Sequence, residues 1–268
     1  MVEYQVTKYQ EISLSLLALA DRKRQLELYD EALMYYLEAE NFAQKRNDKS
    51  TLGISRLKRA AIHIELKQYP QAQVLINQVE QMNQFDTVDL ANPLMFIQAK
   101  LSYSKGDVTQ AVGLITQLEQ AYIEVQEKNI YYRMVRWVYQ PEGVAMVMIE
   151  QDMAVLEALV VEHQLMNIEI YSYALLHYAK WLASQKDSRA EAAIIKAIEH
   201  FSQLELTSKI RDCYQIGADY YRLMGQREKA DYFQLQADGL TLSSRPLSKR
   251  YALKVKRSHF FMLPAKKI

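Results

Sequence analysis

The chain has 268 residues, half of them hydrophobic and 24% charged, a composition ordinary for a globular protein able to bury a core. Its 7 Gly and 5 Pro are too few for an all-β chain, which needs turn residues roughly every 8–12 positions, and the single Cys213 excludes an internal disulfide framework or a multi-cysteine zinc site. The net charge of +1 conceals an asymmetry: 239–268 carries eight Lys and Arg and no acid, leaving 25 basic and 32 acidic residues in 1–238.

Scarce Gly and Pro, with abundant Leu, Ala, Gln, Glu, Lys and Met, point to long helices and an all-α class. In chain order, helix pairs are expected near 5–47, 49–84, 90–128, 130–165, 167–204 and 207–238, followed by a basic tail over 239–268. The longest polar connection before the tail is 82–93. Gln140-Pro141-Glu142-Gly143 interrupts the fourth pair, because proline disfavours helix at the residue before it and removes a donor. No stretch approaches the ~18 uninterrupted apolar residues of a membrane span. The start, MVEYQVTKYQ, lacks a basic region followed by an apolar core, so no signal peptide is visible. A cytoplasmic location is the default expectation, with a periplasmic or membrane-anchored one open should a signal have been removed.

A repeat runs through the helical body. In LYDEALMYYLEAENF, Tyr29 precedes Ala32 by three, and Tyr36 and Ala39 follow it at plus four and plus seven. The frame returns with Tyr69, Ala72, Ile76 and Val79, then with Val108, Ala111, Ile115 and Leu118. It returns again with Ala190, Ile194 and Ala197, and last with Arg227, Ala230 and Ala237. The leading alanines at 32, 72, 111, 190 and 230 keep a period of about 40, with one copy missing near 150. DMAVLEALVV, with Ala154 and Ala158, is expected to fill it. A small residue lets two helix backbones approach, and the i, i+4, i+7 positions make one face. Each unit is then a helix hairpin that buries its apolar face only by stacking on its neighbours.

The final unit, Tyr214-x-x-Gly217-Ala218-x-x-Tyr221-x-x-x-Gly225-x-x-x-x-Ala230 followed by Ala237, resembles the tetratricopeptide-repeat pattern. The period of about 40 is similar to the longer-helix variants found in bacterial peptide receptors, sensor domains of transcription activators and adaptors. The resemblance covers roughly 5–238 and lacks the family's usual closing proline. It implies an α-α superhelix of about six hairpins whose concave groove takes a peptide or protein segment. The lysine–asparagine clamp of some members is not recognisable.

Chemistry is sparse. Neither G-x-x-x-x-G-K-[ST] nor G-x-G-x-x-G occurs, nor G-x-S-x-G, nor H-E-x-x-H. Histidines 63, 163, 177, 200 and 259 share no i, i+3 or i+4 face, so no metal or other cofactor is expected. Cys213 reads as a small buried hydrophobe. Most tyrosines fall at hairpin core spacing. The cluster of Tyr131, Tyr132, Arg133, Arg136, Trp137 and Tyr139 has the aromatic-plus-arginine composition of interaction hot spots. Lys100 and Tyr103 on the preceding unit extend it. Lys100, Tyr103, Arg133, Arg136 and Tyr139 are therefore the groove candidates.

In the tail, Lys249, Arg250, Lys254, Lys256 and Arg257 accompany Phe260, Phe261 and Met262. It reads as a cap on the acidic body, an extension, or a binder of an anionic surface such as lipid or nucleic acid. The leading expectation is a non-catalytic interaction module or adaptor for another protein or peptide. The alternatives are a peptide-responsive regulator and a scaffold docked through its tail. An enzyme is not expected.

Overall fold

The computed structural model describes residues 2–85, 90–140, 142, 145–162 and 168–243. The basic tail cluster from Lys249 to Arg257, with Phe260, Phe261 and Met262, lies outside the described residues, as do Pro141 and Gly143. Twelve α-helices and no strands are present among the described residues. They are α1 (Val2–Gln25), α2 (Tyr29–Lys45), α3 (Lys49–Glu65), α4 (Tyr69–Phe85), α5 (Ala91–Ser104) and α6 (Val108–Ala121). There follow α7 (Gln126–Tyr139), α8 (Met146–Glu162), α9 (Ile168–Ser184), α10 (Ala190–Gln203), α11 (Thr207–Leu223) and α12 (Arg227–Ser243). The six pairs fall where the 40-residue period predicts them. Helix α12 runs five residues past 238 before the described part ends.

The connections repeat as regularly as the helices. Glu27, Asn47, Lys67, Gly106, Lys186, Glu205 and Gly225 all have positive φ, and neighbours among them are about 20 residues, or a multiple of that, apart. Each closes its helix in the same way: the residue at positive φ donates to the carbonyl three back, and its successor to the carbonyl five back. Asn47 to Gln44 and Asp48 to Ala43 is one instance, Gly225 to Arg222 and Gln226 to Tyr221 another. Such left-handed positions cost a side-chain-bearing residue about 1 kcal/mol, which glycine escapes. Lys67→Gly is therefore expected to raise unfolding stability by about 0.5–1 kcal/mol and Gly106→Ala to lower it by about as much, both readable in urea denaturation.

Packing follows the alanine frame. Ala32, Ala72, Ala111 and Ala190 are fully buried and Ala230 nearly so, with Tyr36, Ile76, Ile115 and Ile194 buried one turn on. Gly217 permits a close approach: a Cβ there would meet the Phe233 ring at 2.2 Å, so α11 and α12 pack nearly backbone to ring. The fourth unit departs from the expected register. Ala154 and Ala158 are exposed, and the buried stripe of α8 is Ile149, Met153 and Leu156. Ile149 thus holds the place of the leading alanine in α8. Helix α7 packs instead chiefly on α6 and α9.

Every helix touches its successor, and the odd-numbered helices also touch one another: α1 with α3, α3 with α5, α7 with α9, and α9 with α11. Helix α1 further touches α11, so the two ends of the array meet. Ion pairs mark that seam. Arg22 reaches both the side chain and the carbonyl of Glu205, at 2.9 and 3.1 Å, and Arg211 pairs with Glu27. Near the first pair of units lies a buried ionic group: Glu40, only 4% exposed, accepts from Arg59 at 2.7 Å and faces Arg56 at 3.5 Å.

Candidate functional site

Beside the meeting of α1 with α11 lies a partly open cavity of about 360 Å³. The last turn of α1 contributes Arg24, and Glu27 and Tyr29 follow from the turn and the start of α2. Glu65 comes from the end of α3, Lys100 from the middle of α5, and Tyr173 from α9. The first turns of α11 supply Lys209, Arg211 and Asp212. Residues more than 180 positions apart thus share one space.

The charges of this cavity are paired with one exception. Arg24 meets Glu65 at 3.1 Å, Lys209 meets Asp212 at 2.9 Å, and Arg211 meets Glu27. Lys100 has no hydrogen bond or ion pair to any described residue; its ammonium lies over the Phe96 ring, 5.7 Å from the centroid. Helix α5 explains its position. Leu94, Ile97 and Leu101 hold one stripe of the helix in the core, which leaves Lys100 on the side that looks into the cavity. Burial pushes its amine down to about 8; Glu65 pulls it back up, while Lys209 and Arg24 press it lower.

His177, one turn beyond Tyr173 on α9, belongs to the same interior. Burial, together with Lys180, Lys209 and Lys100, pushes its imidazole down to about 3. Its Nδ1 is buried without a partner, and the ring stands edge-on to Tyr131 at 6.0 Å. His177 is therefore neutral in the folded protein, whereas the unfolded chain takes up a proton near 6.5. The unfolded state binds more protons between those values, so stability rises with pH across that window and is lost as pH falls through it. His177→Phe is expected to flatten the fall in melting temperature between pH 6.5 and 4; an unchanged slope would assign it to other groups.

The groove candidates separate. Lys100 lines the cavity. Tyr103 and Tyr139 stack on each other, centroids 4.0 Å apart and planes 8° from parallel, joining α5 to α7. Burial raises the Tyr139 phenol further above its usual range, with Tyr103 adding to it. Arg133 pairs with Asp152 on α8 at 2.8 Å, and Arg136 with Glu119 on α6 at 2.9 Å. Both guanidinium groups are engaged between helices rather than directed at the cavity. Burial lifts the Asp152 carboxyl even though Arg133 draws it down. Tyr131 and Tyr132 sit against Phe96 in an aromatic cluster, where burial pushes Tyr132 up to about 12.

Cys213 is fully buried, and burial with Asp212 nearby pushes its thiol up, so it packs as a small apolar residue. Among the described residues no three His, Cys, Asp or Glu converge in a way that could hold a metal ion. Nor is any described helix long and apolar enough to cross a membrane.

No family model, curated protein or solved structure matches this chain. The case for its function rests on its own residues.

A second cavity, of about 480 Å³, lies between α10, α11 and α12, where Glu191, Glu199 and Glu228 surround Tyr214, Tyr232 and Phe233. With Lys229 its net charge is still acidic, the opposite sign to the cavity at the seam. Arg24, Glu65, Tyr173, His177 and Lys209 escaped the sequence reading, because no short-range spacing links the end of α1 to the start of α11. Arg24, Glu65 and Lys209 lie in the end turns of their helices, where a closing array brings them together, whereas Tyr173 and His177 lie within α9.

Proposed function

We propose that the chain is a non-catalytic interaction module that holds a peptide or protein segment against the inner face formed by its odd-numbered helices. The observation that carries this reading is the cavity at the seam. Side chains from α1, α3, α5, α9 and α11 converge there, and among the described residues Lys100 offers an ammonium that no carboxylate pairs directly, its nearest acid, Glu65, being paired to Arg24. A polar interior of this kind costs stability, and a partner group that pairs with Lys100 offsets the cost. The likeness of the repeat to tetratricopeptide units supports the same reading, since in that family such a face receives a partner segment.

Affinity purification with mass spectrometry on the full chain tests it. Partners recovered by the wild type should be lost with Lys100→Met/Lys209→Met and retained with Ile195→Ser/Tyr232→Ser, which alters the acidic cavity instead. Loss with the second variant alone would overturn the assignment of the binding face.

A second reading is favoured by the seam. Among the described residues, the ion pairs of Arg22 with Glu205 and of Arg211 with Glu27 join the two ends. A ligand bridging α1 and α11 would tighten that closure, the behaviour of a ligand-responsive regulator.

A further inference from the structure

The cavity at the seam has a net charge that the rest of the body does not predict. Residues 1–238 carry seven more acids than bases. Yet the cavity gathers four cations, Arg24, Lys100, Lys209 and Arg211, against three carboxylates, Glu27, Glu65 and Asp212. Each carboxylate is already ion-paired to a cation other than Lys100: Glu65 to Arg24, Asp212 to Lys209 and Arg211, Glu27 to Arg211. One positive charge is left over: among the described residues Lys100 has no ion pair, and it lines the cavity beside the Phe96 ring.

An ammonium drawn into a cavity without an ion pair of its own is costly, and water there recovers only part of its lost solvation. The cation–π contact with Phe96, at 5.7 Å, lies near the outer limit of that interaction and offsets only part of the cost. The geometry therefore suits a group that brings negative charge and several acceptor atoms. Lys100 on α5, Arg24 on α1 and Lys209 on α11 approach from three helices and could donate to it together.

We infer that this cavity is an oxyanion-binding site, in which Lys100, Arg24 and Lys209 hold a carboxylate or phosphate group and so bridge the two ends of the array. This deepens the interaction reading above, which it takes as its basis: the bound group is carried by a small molecule or by the segment received on the inner face. The volume of about 360 Å³ leaves room for more than the anion itself, and Tyr29 and Tyr173 provide flat walls for what is attached. The seam ion pairs then lie beside the ligand, so occupancy resists separation of α1 from α11.

Thermal unfolding of the full chain in inorganic phosphate, in acetate and in chloride at matched ionic strength tests the inference. Wild type should melt about 3 °C higher at an oxyanion concentration ten times its Kd, with chloride inert. Lys100→Met should lose that rise, Lys100→Arg should keep part of it, and Lys105→Met, on the exposed end of α5, should behave as wild type. A wild-type experiment stands beside these variants: acetylation of lysines mapped by mass spectrometry. Phosphate or acetate at ten times Kd should slow labelling of Lys100 about tenfold and leave Lys105 unaffected.

A stronger response to a phosphorylated or acidic peptide than to either free anion would assign the group to a partner segment; equal responses would assign it to a small molecule. An equal rise in wild type and Lys100→Met, or unprotected Lys100 at saturating salt, would overturn the site. If partner capture still depended on Lys100 and Lys209 while no oxyanion bound, only this inference would fail. Oxyanion binding with capture independent of the cavity would instead sink the interaction reading alone.

Discussion

Glu40→Ala is expected to destabilise the protein by about 3 kcal/mol, at the lower end of the cost of breaking a buried ion pair. Glu40 on α2 is 4% exposed and is the shared partner of Arg56 and Arg59 on α3. Removing it leaves two guanidinium groups facing each other one turn apart, with their Nε atoms already buried and without a hydrogen bond. Their partial exposure, 16% and 21% of the side chain, lets some solvent in and keeps the loss from the upper end. The triple variant Glu40→Leu/Arg56→Met/Arg59→Met removes all three charges and is expected within about 1 kcal/mol of wild type. Urea denaturation at constant m-value distinguishes them. A loss below about 1 kcal/mol for Glu40→Ala would mean that the arginines find other partners.

Lys100→Met should have the opposite sign: a gain of about 1–3 kcal/mol at pH 7, from a shift of the amine down to about 8 against an ordinary 10.5, discounted for water in the cavity. The dependence on pH separates this charge effect from the packing of methionine. Below about 8 both folded and unfolded wild type carry the proton, and the full cost of enclosing the charge is present. Between about 8 and 10.5 the unfolded chain holds a proton that the folded one lacks, so wild type gains stability as pH rises. Above 10.5 the amine is neutral in both states and the cost is gone. The advantage of Lys100→Met should therefore shrink steadily from pH 8 to 10.5. A pH-independent gain would show that Lys100 keeps its ordinary titration and is well solvated. A residue whose removal stabilises the fold, while abolishing binding, is the pattern expected of a site maintained for its ligand.

Local chemistry made the repeat legible. Ala32, Ala72, Ala111, Ala190 and Ala230 each occupy a contact where only a small side chain lets helices close, so the period in the sequence is the period of the packing. The fourth copy was misplaced for the same reason. Ala154 and Ala158 mimic the frame in sequence, while Ile149 holds the structural position with a different side chain. The turns were half visible: Gly106 and Gly225 announce themselves, but Glu27, Lys67, Lys186 and Glu205 take the same left-handed conformation without the residue that usually signals it.

The site was harder to read. Lys100 was found through its neighbours in α5 and α7, and those neighbours turned out to serve the fold. The Tyr103–Tyr139 stack ties α5 to α7, and Arg133 and Arg136 join α7 to α8 and α6. What gives Lys100 its character comes from α1, α3 and α11, through contacts that depend on how far the array curves. Curvature accumulates from small rotations at every interface, and no local pattern encodes it.

The most direct test of the account places a photo-activatable amino acid on the inner face at Tyr173 and, separately, at Ile195 beside the acidic cavity. The full chain would be irradiated with a partner recovered by affinity purification. Adducts from position 173, reduced by Lys100→Met and absent from position 195, are the predicted result. Adducts from position 195 alone would contradict an inner-face binding site.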